Sequence, residues 1–245
     1  MGLGIVRPTQ TLLARLLRAY RLRSPAEFLW LIIKNFQYYS IHLLNQRPEE
    51  EDAFDRRHGT DTARIREIGS LSIDSANAVH AVRYEPTAEA VALQALSSIP
   101  TDVRSFSFVD YGCGKGKILL LASAYPYRSL IGLDFAPELV EVARRNVEAF
   151  ERAQERECRT NVLCAEAGDF DPPEGNLVAY FYNPFGRPVM EKVEEQLRQA
   201  AIRCDCDMFV IYVNPVHRHV WQDKPHWQIA VEGEGFTVYR NRRPA

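Results

Sequence analysis

From about residue 105 onward, short apolar runs alternate with longer amphipathic stretches. The runs near 105–111, 129–134, 160–165, 176–182 and 207–213 have the length and the aromatic and β-branched content of buried strands. Between most of them, residues near 115–124, 136–152 and 187–202 place apolar side chains at helical spacing. Such alternation predicts an α/β fold, a parallel sheet wound on both faces by helices. The last two runs, Trp227–Val231 and Phe236–Tyr239, are separated by Glu-Gly-Glu-Gly, which predicts an antiparallel hairpin closing the sheet.

Upstream the pattern changes. Residues 8–22 and 25–44 read as two helices, with Leu12, Leu13, Leu16, Leu17 and Tyr20 on one stripe of the first. Pro25 and Glu27 suit the opening turn of the second. Gln46 to Asp52 is a polar, acidic break. Phe54-Asp-Arg-Arg-His-Gly-Thr-Asp-Thr62 follows as a polar cluster around one glycine, read as a loop that is either solvated or a lid over a binding crevice. Tyr84-Glu-Pro-Thr87 then opens a helix running to about Ser98. The expected division is a helical extension with lid segment over 1–83 and a single domain over 84–245.

Charge and cysteine content narrow the classes. Net charge is −2 over 245 residues, which gives no general case for nucleic-acid binding. Residues 1–45 carry five Arg and one Lys against Glu27 alone, about +5, leaving about −7 for the remainder. The basic, aromatic-rich helices over residues 8–44 therefore have two readings: a layer packed on the core, or a peripheral contact with an anionic membrane surface. Lys34, Asn35, Gln37 and His42 interrupt the apolar segment Phe28–Leu44, so it is not expected to span a bilayer. The N-terminus lacks the pattern of a secretory signal. The odd cysteine count and irregular spacing point to reduced thiols and a cytoplasmic setting. Cys204-Asp-Cys206 has no second Cys/His pair at ligand spacing, so no metal is expected. The oligomeric state is left open.

The chemistry concentrates in Phe108-Val-Asp-Tyr-Gly-Cys-Gly-Lys-Gly116. A strand delivers Asp110, and Gly112, Gly114 and Gly116 then let the backbone turn and approach a ligand closely. The next strand ends on Asp134, a carboxylate placed to accept hydrogen bonds from ribose hydroxyls. The spacing is not that of a dinucleotide fingerprint, and the acid two residues before the first glycine suits a ligand carrying positive charge. Cys113, inside the loop, reads as a small packed residue.

Asp110 to Gly116 together with Asp134 resembles the first motif and the ribose-binding acid of the class I S-adenosyl-L-methionine (AdoMet) dependent methyltransferases. The likeness covers about two thirds of the chain, from Tyr84 onward. It implies a Rossmann-like sheet of seven strands, mostly parallel, with AdoMet as cofactor and transfer of a methyl group as the activity. It further implies that the acid after the third strand, Asp169 with Glu166 as a weaker candidate, meets the adenine amino group, and that Phe170 packs on the ring. Tyr182-Asn183-Pro184-Phe185 stands where amino-group methyltransferases carry Asn-Pro-Pro-Tyr/Phe. Asn183 and Tyr182 would then face the acceptor. This chain has one proline rather than two, so both nitrogen and oxygen acceptors stay open. His217, beyond the fifth strand, is a candidate general base. A small molecule or a protein is the expected acceptor, and nucleic acid is disfavoured by the acidic core domain. Two other classes compete: a non-catalytic nucleotide-binding adapter, and an NAD-dependent oxidoreductase, against which the glycine spacing argues.

Overall fold

The computed structural model describes residues 48–63, 88–154 and 159–242. The expected helices over 8–22 and 25–44, the proposed boundary at 83/84 and Cys158 lie outside the described residues. All described residues except Pro48 belong to one compact unit, Glu49–Ala245.

Seven strands form one sheet: β1 Ser107–Tyr111, β2 Ser129–Asp134, β3 Thr160–Cys164, β4 Leu177–Tyr182, β5 Met208–Val213, β6 Trp227–Gly233 and β7 Phe236–Asn241. Their spatial order is β3-β2-β1-β4-β5-β7-β6, with β1 to β5 parallel and β7 antiparallel to both β5 and β6. The strand order reverses between β2 and β4, on either side of β1, so a crevice opens at the carboxyl ends of these strands.

Six helices are described: α1 Pro48–His58, α2 Glu89–Ser97, α3 Lys117–Ala122, α4 Pro137–Ala153, α5 Arg187–Cys204 and α6 His219–Gln222. Strand alternation splits the core in two. Phe108 of β1 joins α2, α3 and α4 on one face, through Leu96, Leu119, Val140 and Val147. Val109 and Tyr111 join α5 and α6 on the other, through Met190, Val193, Leu197 and Trp221. β1 and β5 are buried along their whole length, as central parallel strands must be.

Two features depart from the sequence reading. Within the segment read as break and loop, Pro48–His58 is the helix α1, and Gly59–Thr62 after it is loop. Arg56, Arg57 and His58 in the last turn of α1 complement the helix dipole, which helps hold a helix with little apolar content. Phe54 is its anchor: it is 1% exposed, with the Lys117 ammonium 5.2 Å from its ring centroid and the His58 ring 4.7 Å away. The second departure concerns the cysteines. Cys204 and Cys206, expected as free thiols, form a disulfide. Asp205, the residue that ends α5, takes a left-handed φ of 44° and folds the chain back, bringing the two Cα atoms to 5.2 Å. Cys113 and Cys164 are free. No described helix is long and apolar enough to cross a membrane.

Removing the α1 anchor should be costly. Phe54→Ala is expected to lower the unfolding free energy by about 3–4 kcal/mol. Urea denaturation measures this, and a loss below about 1 kcal/mol would show that α1 does not share the core.

Candidate active site

The parallel register brings the strand tips into one row. Tyr111 lies opposite Leu133 on β2 and Phe181 on β4, and Phe181 lies opposite Tyr212 on β5. The residues just beyond, Gly112, Asp134, Tyr182 and Val213, therefore share one edge of the sheet.

At the tip of β1 the chain turns through Gly112, Gly114 and Gly116, whose φ angles are +81°, +54° and +85°. Side chains rarely tolerate this region; at Gly112 there is also no room for one, and at Gly116 the fit would be tight. A Cβ on Gly112 would lie 2.4 Å from Cβ of Pro184, and one on Gly116 would lie 3.3 Å from Cβ of Ala143. The backbone N–H groups of Gly112 and Cys113 donate to the carbonyl of Leu133, which pins the loop to β2. Cys113 is buried under this loop, and burial raises its thiol well above the ordinary range, so it stays protonated and packs rather than attacks.

Two carboxylates lie behind the loop. Asp134 accepts N–H bonds from Gly114 (3.0 Å, on Oδ2) and Ala136 (2.9 Å, on Oδ1), and each oxygen keeps a further lone pair for a hydroxyl donor. Burial raises its pKa to about 6, with the backbone donors working against that shift. Asp110 is buried, and its Oδ2 has no hydrogen-bond partner. Burial, and then the neighbouring Asp134 charge, push its pKa well up. An orphaned carboxylate oxygen beside backbone with no side chains fits a ligand that brings its own cation. Residues Asp110, Gly112, Gly114, Gly116 and Asp134 thus suit the sulfonium nucleoside AdoMet.

Asp169 ends a short 3-10 helix, Ala167–Asp169, that follows β3. Its carboxylate is exposed and pairs with the Lys192 ammonium of α5, 2.5 Å away. Phe170 meets the Tyr111 ring edge-on at 6.0 Å. Glu166 precedes the 3-10 helix and is partly exposed.

The opposite wall is built from two similar turns. β4 ends in Tyr182-Asn183-Pro184 and β5 in Val213-Asn214-Pro215, and both asparagines are left-handed, with φ of 42° and 49°. Asn tolerates this conformation better than most residues. Asn183 is 4% exposed, and the Pro184 ring behind it packs on Gly112, joining the β4 turn to the glycine loop. Tyr182 is half-buried, as is His217. The sequence reading did not assign a role to Tyr212. Its buried hydroxyl, 3.5 Å from Asn183 Oδ1, accepts the His217 N–H at 3.2 Å and so ties the two turns together. An aromatic two residues before Asn214, matching Phe181 before Asn183, was the available signal. Among the described residues no group of three or more His, Cys, Asp or Glu could hold a metal ion.

Comparison with known proteins agrees with this geometry. Residues 108–203 match the family model described as "Methyltransferase domain". Ribosomal protein L11 methyltransferase of Burkholderia multivorans is 29% identical over 126 residues, 49% of this chain and 41% of that protein. Its counterpart in Burkholderia orbicola is 30% identical over the same length. The chain thus spans about two fifths of the curated relatives it matches. Among solved structures, ribosomal protein L11 methylase from Lactobacillus delbrueckii subsp. bulgaricus superposes with a TM-score of 0.46 at 14% identity, over 63% of this chain and 77% of that one. An RNA methyltransferase from Salinibacter ruber, in complex with S-adenosyl-L-homocysteine, gives 0.44 at 20% identity, over 65% and 94%. The matched stretch carries the glycine loop, both acidic strand tips and the Asn183 turn, so residues 108–203 are similar to a methyltransferase domain over the whole of this geometry.

Proposed function

We propose that the protein transfers the methyl group of AdoMet to a nitrogen or oxygen nucleophile held at the Asn183 turn. The observation that carries this reading is the seat of Asn183: a buried, left-handed residue fixed to the glycine loop by Pro184 and to β5 by Tyr212. When bound, AdoMet supplies an electrophilic methyl on a cationic sulfur. In this reading Asp110 and the glycine loop hold the methionine portion, Asp134 the ribose hydroxyls, and Asp169 with Phe170 the adenine. Asp169 would share its carboxylate between adenine and Lys192. Asn183 orients the nucleophile by accepting one of its hydrogens, and Tyr182 lines its approach. His217 receives the proton released as the new bond forms. Most of the rate then comes from alignment inside a shielded site.

Acceptors are best sought among macromolecules first. The curated relatives are named for ribosomal protein L11, and one fold neighbour is named for RNA. The expectation against nucleic acid rested on the net acidity of the core domain, not on any surface of the site, so RNA belongs among the candidates beside protein and small molecules. Incubation with methyl-labelled AdoMet and separated ribosomal protein, RNA and metabolite fractions identifies which one takes up label.

With that fraction, Asn183→Ala should slow transfer about 100-fold or more while AdoMet affinity stays within about threefold. Equal rates for the two proteins would reduce Asn183 to a turn residue. Gly112→Ala combines a left-handed φ with a collision against Pro184. It should weaken AdoMet binding about tenfold or more and cost about 1–3 kcal/mol of stability. Calorimetry and thermal unfolding measure both, and wild-type values would mean that the β4 turn does not depend on this contact.

A further inference from the structure

Lys115, between the second and third glycines of the loop, is wholly buried, side chain included. Its ammonium sits 2.8 Å from Oδ1 of Asp61, whose own side chain is half exposed. A desolvated cation is costly unless paired, and this one belongs to the loop that must receive a cationic ligand. The chain around Asp61 is shaped to deliver the carboxylate there. Asp55 of α1 accepts bonds from the Thr60 hydroxyl (2.7 Å) and from the N–H groups of Thr62 and Ala63 (2.8 Å each), closing the turn that carries Asp61.

Asn146 of α4 then locks that turn to the glycine loop. Its Oδ1 accepts the Asp61 N–H at 2.9 Å, and its Nδ2 donates to the carbonyls of Asp61 (3.1 Å) and Lys115 (2.9 Å). One turn earlier on the same helix face, Ala143 packs against Gly116. One buried amide thus binds both backbone groups of Asp61 and the carbonyl between two left-handed glycines.

We propose that Asp61 and Asn146 are positioning residues for the cofactor. Asn146 holds the Lys115 backbone so that the glycine loop keeps its ligand-facing shape. Asp61 neutralises the Lys115 ammonium so that the loop admits a sulfonium cation. This concerns the cofactor seat and is independent of the acceptor assignment, because every readout is a binding measurement.

Charge separates positioning from simple support. AdoMet carries a positive sulfur, whereas S-adenosylhomocysteine has a neutral one and is otherwise the same molecule without the methyl. Asp61→Asn preserves shape and removes only the negative charge. It should weaken AdoMet about tenfold and S-adenosylhomocysteine no more than about threefold, both read by calorimetry. Adding Lys115→Met to Asp61→Asn removes the opposing charge and should return AdoMet affinity to within about threefold of the wild type. Equal losses for the two ligands, no loss for either, or failure of the second substitution to restore binding would overturn the proposal. Should Asp61→Asn not fold, Lys115→Met alone decides. It leaves a half-exposed Asp61 that water can solvate, so AdoMet should bind within about threefold of the wild type, and a larger loss overturns the assignment.

Discussion

Two carboxylates buried side by side behind a backbone loop set the terms for the rest of the site. Asp110 and Asp134 stand at the tips of neighbouring strands, and each makes ionisation of the crevice less favourable through burial. A folded chain tolerates such an arrangement when something compensates for it. Asp134 has two backbone donors; the free oxygen of Asp110 has none. In the proposed reading the unpartnered Asp110 oxygen suits a cation close to the glycine loop, and the remaining lone pairs of Asp134 suit hydroxyls within reach of β2.

Around that pair, the loop is held from both faces of the sheet. On one side, Gly116 rests on Ala143, and Asn146 grips Lys115, so α4 and the turn after α1 support the cofactor side. On the other, Pro184 fills the space that a side chain at Gly112 would take, so the β4 turn packs directly on the loop. Tyr212 extends this coupling to the β5 turn through Asn183 and the His217 amide. The glycine loop and the β4 and β5 turns are therefore one packed unit, which suits the proposed reaction, in which alignment supplies much of the rate.

Strong periodic signals made much of this legible in the sequence. The seven strands lie within a few residues of their expected places, and the hairpin closes the sheet, because period-two apolar runs and glycine turns act locally. Asp110, the three glycines and Asp134 stand together at adjoining strand tips for the same reason. The α1 helix was hidden because a single residue, Phe54, buries substantial apolar surface there, so no helical stripe appears; the acidic start and basic end were the remaining clue. The Asp61–Lys115 pair spans 54 positions in the chain, and no local pattern announces it. The Cys204–Cys206 pairing depends on the left-handed Asp205, a backbone feature invisible in residue type.

The carboxylate pair can be interrogated through the protons it holds. With a pKa of about 6, Asp134 is about half protonated at pH 6, and burial with the neighbouring Asp134 charge pushes the Asp110 carboxyl well up too. Binding a sulfonium nucleoside favours both charged forms, so protons must leave as the ligand enters. Calorimetric titration of AdoMet at pH 6, in two buffers of different ionisation enthalpy, counts them. Net release of about half a proton or more per bound cofactor is the predicted result. Binding with no proton release, or with uptake, would contradict the placement of these acids against the cofactor.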